Sequence, residues 1–280
     1  MFTSYKALFL ALLASTITTT LASPPDITFL CDEMPEVCTN MCWAVRCAQP
    51  PFPQTLTLDL GGNTTTTTTT RYRRNNATPM RSHNITASCA TNKMCGPHAS
   101  NHTGHRSNST YYRACNVYPF SSTREAVLQH GHHQVSRCVP EAEQRKQNEQ
   151  LAQLSQKLQA QSHGGNNSAT TIKARINFGN PGKIPFCNND PCQNDGFEVQ
   201  DGTVKRNASQ AMFKYYKTRS GMTLASVDDI EMPYSFSRKV GSGEAVPSDV
   251  ETWYEDGHGG RLHMMGDTIM ERVSAQGSKV

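Results

Sequence analysis

Beyond its first two dozen residues the chain has no long apolar run. No later stretch is long and apolar enough to cross a bilayer, so the mature chain is expected to be soluble. Apolar residues are also scarce, at 36% with only two tryptophans. That excludes one large oily interior and points to a modest core with long polar excursions, stapled by crosslinks. Charge of one sign is scarce too: the formal balance is +4. Such a balance permits contact with a polyanion without demanding it, so charge alone says nothing about nucleic acid. The length of 280 residues allows one or two domains.

What is present sets the compartment. The opening "MFTSYKALFLALLASTITTTLAS" has one early cation, Lys6, a short apolar run over residues 7–13, and small residues up to Ala22 and Ser23. This is the build of a cleavable secretory signal, residues 1–22, cut after Ala22. All ten cysteines lie beyond it: Cys31, Cys38, Cys42, Cys47, Cys89, Cys95, Cys115, Cys138, Cys187 and Cys192. An even count in an exported chain reads as disulfides whose connectivity spacing cannot give. Asn63, Asn76, Asn84, Asn101, Asn108, Asn166 and Asn207 each begin N-x-S/T, so the chain is expected to be a secreted, extracellular glycoprotein.

Four regions follow in order. In "CDEMPEVCTNMCWAVRC" the loose cysteine spacing favours disulfides over zinc, and Cys38 and Cys42, four apart, share a helix face and can bridge to different segments. Residues from about 50 to 110 hold the threonine tract 64–70 and little apolar material, which predicts loop. Glycines and a proline around His98, His102 and His105 favour solvated loop over a metal site. The third region carries the organised pattern. "YYRACNVYPF" is β-prone, and "HQVSRCV" alternates as a second strand. "EAEQRKQNEQLAQLSQKLQAQ" has no breaker and a Leu151, Leu154, Leu158 stripe, which predicts a helix. "TIKARINF" places Ile172, Ala174, Ile176 and Phe178 on one face and Lys173, Arg175 and Asn177 on the other. Cys187 and Cys192 are near enough to bridge locally. The last region, 211–280, reads as irregular β structure with a weakly ordered end, and Asp256, His258 and His263 read as separate turn residues.

Strand, strand, helix, with polar groups at the junction, suits a one-metal nuclease. Phosphodiester hydrolysis wants a hard divalent cation on the phosphate, a base for water, and a cation to meet developing charge. Ligands to such an ion should be oxygen donors, hence Asp, Glu and Asn. Glu141, Glu143, Gln144, Arg145, Gln147 and Asn148 gather at the start of the helix, Asn116 ends the first strand, and Glu125 follows Arg124.

The segments "CNVYPFSSTREA" and "RCVPEAEQRKQNEQL" resemble the deoxyribonuclease NucA/NucB domain in its secreted fungal form. That family reads C-D-E-Y-P-F-A-S-T-x-E-G-G and then C-V-P-x-x-E-N-x-x-Q-G, and the likeness extends from about Phe29 to Gly202. The resemblance implies a ββα-metal core and DNA as substrate. It further implies metal-dependent cleavage with Mg²⁺ or Mn²⁺, in which Asn116, Glu125 and Glu143 stand at catalytic positions and Glu125 and Gln144 at metal-side positions; Arg145, at a position the pattern leaves open, is a catalytic candidate as a bidentate phosphate contact. Several departures cut against it, and the paired glycines after Glu125 are Ala126 and Val127 here. The family's Asp is Asn116 and the adjoining Glu is Val117. The helix Asn is Gln144, and the glycine of Q-G is Asn148. An amide takes no proton at neutral pH, and imidazoles at His130, His132 or His133 are the nearest substitutes in sequence.

The expected fold is α+β: a small antiparallel sheet with one main helix, ββα-metal nuclease-like, disulfide-stapled, with loop-rich flanks. Cys115 and Cys138 would suit a bridge between its two strands. The expected organisation is a signal (1–22), a Cys-containing glycosylated segment (23–110), a NucA/NucB-like domain (111–210) and a C-terminal extension (211–280). The expected function is metal-dependent hydrolysis of DNA if the site is active. Otherwise the chain is a catalytically inactive, nuclease-like binding or interaction protein.

Overall fold

The computed structural model describes residues 26–59, 95, 112–128, 134–162, 171–201, 203–204, 211–241, 251–255 and 261–274. The signal segment, the threonine tract, every N-x-S/T asparagine, Asp256 and all histidines except His263 lie outside them. In chain order the elements are β1 (Asp26–Leu30), α1 (Pro35–Cys42) with a π-helical turn over Trp43–Cys47, β2 (Thr55–Asp59), β3 (Tyr112–Tyr118), α2 (Arg124–Leu128), β4 (Val135–Pro140) and α3 (Glu141–Ser162). They continue with β5 (Thr171–Gly179), β6 (Val199–Gln200), β7 (Lys214–Thr218), β8 (Thr223–Ser226), β9 (Tyr234–Lys239), β10 (Glu251–Glu255) and β11 (Arg261–Val273).

The strands form two sheets. A three-stranded antiparallel sheet runs β3-β4-β6, and α3 starts directly after β4. The larger sheet has eight strands along the path β1-β5-β8-β7-β11-β10, with β2 on β5 and β9 on β11. Its β1–β5 pair is parallel. The chain is thus a sheet-rich mixture of strands and few helices, and the expectation of a small sheet alone is corrected. Most strands belong to the larger sheet, where the stretch read as irregular supplies β7 to β11 beside β1 and β5. Those strands are mostly four to six residues long, too short for alternation to stand out; Gly221 and Pro233 lie between strands, while Gly266 lies within β11. β2 was likewise hidden in a polar stretch, although Leu56 and Leu58 are buried at alternate positions.

Elsewhere pattern and burial agree. On β5, Ala174, Ile176 and Phe178 are buried as their alternation requires. Helix α1 buries Val37, Cys38, Met41 and Cys42, and α3 buries Leu151 and Leu154. Tyr118, fully buried, packs edge-on against Phe120 and Phe52 and donates its hydroxyl hydrogen to the Pro53 carbonyl at 2.8 Å.

Disulfides link Cys31 to Cys38, Cys42 to Cys187, Cys47 to Cys192 and Cys95 to Cys138. Two expected pairings are therefore corrected. Cys187 and Cys192 do not join each other; each reaches the α1 region across 145 residues, so the two five-residue spacings zip together. Cys115 and Cys138 face each other in the β3–β4 register, where the strand ladder already holds them, and Cys138 bonds Cys95 instead. Cys115 is disulfide-bonded as well. In the chain-entropy model the first of the two long loops contributes roughly 5 kcal/mol, and the second far less because only a short loop remains to be closed.

Helix α1 starts at Pro35 with no side-chain cap of its own at Met34. Glu143 of α3 supplies one: its Oε2 accepts the Glu36 N–H at 2.8 Å and the Val37 N–H at 3.2 Å. A carboxylate there meets two orphan donors and the positive end of the helix dipole. Burial pushes the Glu143 carboxyl above its usual range, and the two N–H bonds pull against it. In the larger sheet the buried Arg238 donates from Nε to Asp267 Oδ2 at 3.0 Å, and Ser220 Oγ donates to the same oxygen at 2.5 Å. Burial would raise Asp267, but the bonds from Ser220, Arg238 and the Thr268 N–H outweigh it and hold the carboxyl below the ordinary 3.8.

Two outcomes follow for stability. Glu143→Ala should cost about 1–2 kcal/mol in urea unfolding, with Glu143→Gln recovering part of it because one acceptor oxygen returns; a neutral alanine variant rules out the capping role. Asp267→Asn should cost about 3–5 kcal/mol at neutral pH, because the buried Arg238 guanidinium loses the carboxylate to which its Nε donates. A depressed carboxyl stabilises the fold above its unfolded value and stops doing so as pH falls through the folded one. The gap between wild type and Asp267→Asn should therefore narrow below pH about 4, and a gap constant down to pH about 2 contradicts the assignment.

Candidate functional site

The junction singled out in the sequence forms one connected cluster. Asn116, on β3, is fully buried. Its Nδ2 donates to Gln144 Oε1 at 2.8 Å and to Gln147 Oε1 at 2.7 Å, both on α3. Its Oδ1 accepts from Asn40 Nδ2, on α1, at 2.8 Å. Gln144 Nε2 donates to Gln147 Oε1 at 2.9 Å and to Asn148 Oδ1 at 3.0 Å, and Gln147 Nε2 points at Met41 Sδ at 3.2 Å. Three elements thus meet through five carboxamides. Spacing makes this possible: Gln144, Gln147 and Asn148 stand three and four apart on one face of α3.

Asn116 is paired across the strands with Arg137 of β4, so both side chains share a face. Helix α1 lies over that face, with Glu36 above Arg137 and Asn40, one turn on, above Asn116. Arg137 is the hub of a second group. It pairs with Glu36 at 2.7 Å, with Asp195 at 3.0 Å and with Glu198, and its guanidinium lies 5.2 Å from the Phe197 ring centre. Burial would lower the Arg137 pKa, but Glu198, Asp195 and Glu36 outweigh it and raise it. Burial also pushes the Glu198 carboxyl well up, against Arg137 and with help from Asp195. Asp195 moves down: its burial is outweighed by the hydrogen bond with Glu198 and by Arg137.

Of the residues expected at the site, Asn116 and Gln144 are in contact. Glu143 sits on the same turn of α3 with its carboxylate on the α1 N-terminus. Glu125 lies on α2 with Oε1 and Oε2 at 3.0 and 2.9 Å from the Thr57 N–H of β2, and it shares no hydrogen-bond partner with the amide cluster among the described residues. Arg145 is exposed on α3. Sequence reading passed over Asn40, Glu36, Arg137, Asp195 and Glu198. A signal for two of them was present: Glu36 and Asn40 are four apart on the helix that carries Cys38, so they share one face.

The donor set at Asn116 does not fit Mg²⁺ or Mn²⁺. Such ions want anionic oxygens, and this cluster carries no formal charge. The amide oxygens of Asn116, Gln144, Gln147 and Asn148 already accept hydrogen bonds from neighbouring amides. Among the described residues no three His, Cys, Asp or Glu side chains come together in a metal-ligating group, and the three acids at Arg137 face a guanidinium.

No curated protein and no solved structure matches the chain. Residues 41–165 match the family model described as Deoxyribonuclease NucA/NucB, a span that contains β3, α2, β4 and nearly all described residues of the amide cluster. The comparison therefore supports, over residues 41–165, the likeness to the NucA/NucB nuclease domain family.

Proposed function

We propose that this is a secreted, glycosylated NucA/NucB-type protein in which the nuclease scaffold is kept but hydrolysis through the Asn116 position is disabled, so that it works by binding. The family-model match over residues 41–165 supports a nuclease-like function and DNA as the general ligand class. The observation that carries the non-catalytic reading is the state of Asn116: buried, and hydrogen-bonded at both ends of its side chain to neighbouring amides. A general base must take a proton from water, and a carboxamide cannot. Nucleases of this family are generally metal-dependent, yet the side-chain oxygens beside Asn116 are neutral, and those of Gln144, Gln147 and Asn148 are engaged by neighbouring amides.

In this reading β3, β4 and α3 are a ββα-type unit without its ion. Glu125 and Glu143 brace backbone N–H groups of β2 and α1, and Arg145, exposed on α3, is the residue placed to meet a phosphate. The competing reading, Mg²⁺- or Mn²⁺-dependent hydrolysis of DNA, needs an anionic ligand brought to the cluster.

Plasmid nicking with Mn²⁺ separates them. Wild type should stay at background while showing salt-dependent DNA retention. Asn116→Asp combined with Gln144→Asn should raise divalent-dependent nicking by about 10² or more, since a general base contributes on that order. A wild type that nicks as fast as the double variant, with loss of activity in EDTA, overturns the proposal.

A further inference from the structure

Strand β5 faces two ways. Between its core residues Ala174, Ile176 and Phe178 lie Arg175 and Asn177, on the face where β1 sets Asp26 and Thr28 at the paired register positions. Asn177 Nδ2 donates to Asp26 Oδ1 at 2.8 Å, and the Tyr234 hydroxyl donates to Asp26 Oδ2. The Arg175 guanidinium lies 5.2 Å from the Tyr234 ring centre. Four buried polar atoms in this group have no hydrogen-bond partner: Thr28 Oγ1, Asn177 Oδ1, Arg175 Nε and Arg175 Nη1. Thr28 is 4% exposed and Asn177 1%, while Asp26, Arg175 and Tyr234 are half-buried around them. Burying a polar group without a partner is costly, so four such atoms on adjoining register positions call for a shared partner.

We propose that Thr28, Arg175 and Asn177, with Asp26 beside them, bind a small oxyanion that still carries a proton: inorganic phosphate or a phosphomonoester. The donor and acceptor pattern selects this class. Arg175 offers two N–H donors and a positive charge, which want anionic oxygens. Asn177 Oδ1 can only accept, so the ligand must also donate. Asp26 repels an anion that presents no hydrogen toward it. Hydrogenphosphate and phosphomonoesters present both oxygens and a P–OH. Sulfate and the phosphodiesters of a DNA backbone carry no hydrogen at neutral pH and leave Asn177 unmet. Lys173, exposed one step along the same face, adds positive charge at the approach. The site is separate from the Asn116 cluster and does not depend on whether DNA is cleaved.

Calorimetry on the full secreted chain in phosphate-free buffer tests this. Inorganic phosphate should bind, and sulfate at least about tenfold more weakly, because a site built around a ligand hydrogen rejects an analogue lacking it. Arg175→Gln and Asn177→Asp should each weaken phosphate by at least about tenfold. Should either fail to fold, Thr28→Val, close to isosteric, reads the same site through a loss of several-fold. A short oligonucleotide with a 5′-phosphate that binds where its 5′-hydroxyl twin does not assigns terminal phosphates as the ligand; binding of the free ion alone assigns inorganic phosphate. No phosphate binding by wild type, equal affinity for sulfate, or undiminished affinity in Asn177→Asp overturns the proposal and leaves water as the occupant.

Discussion

The constraint on which the site depends is the buried carboxamide of Asn116. It ties β3, α1 and α3 through one side chain, and an amide there can donate and accept at once. A carboxylate at the same place would face Gln144 Oε1 and Gln147 Oε1 across hydrogen-bond distance. Oxygen against oxygen is repulsive unless a cation stands between them or both glutamines turn round. The amide removes the need for a cation. Asn116 and Gln144 therefore act together as one neutral solution to the packing of α3 against β3, and the sequence departures from the family pattern are coupled through it.

Around this point the fold supplies redundancy. α1 is fixed at its start by Glu143, along its face by Asn40 and Glu36, and through Cys38 and Cys42 by disulfides to two different segments. Arg137 extends the same tie to the loop before β6 through Asp195 and Glu198. Buried ion pairs of this kind add little net stability but cost much when one partner is removed, which favours a single arrangement over many. The scaffold thus holds the junction rigid whether or not chemistry happens there.

Much of the local structure was legible in the sequence. The β5 alternation, the unbroken α3 run and the strand around Arg137 each carry a period that burial enforces. The Asn116 and Gln144 substitutions were visible in the sequence, the first as a loss of charge and the second as a longer amide, but that they meet was not, because the contact links residues 28 apart in sequence through side-chain geometry. Disulfide partners were hidden for a similar reason. Cys187 and Cys192 look like a local pair, yet their spacing matches that of Cys42 and Cys47, and only the packing of the segment on α1 chooses between the two. The eight-stranded sheet was the largest omission. β1 and β5 pair across nearly 150 residues, a separation that no local pattern encodes.

The two faces of β5 show how the chain separates its tasks. Its apolar residues go to the core that supports the Asn116 junction, and its polar residues go to the Asp26 group on the other side. Alternation requires that one strand register serve both, so a one-residue slip would bury Arg175 in the core and expose Ile176. The parallel pairing with β1 fixes that register, placing Asp26 beside Arg175 and Thr28 beside Asn177. The unsatisfied atoms there are therefore no accident of a loosely placed loop. They sit on positions that the core itself determines, which is why a ligand, and not local rearrangement, is the natural way to satisfy them.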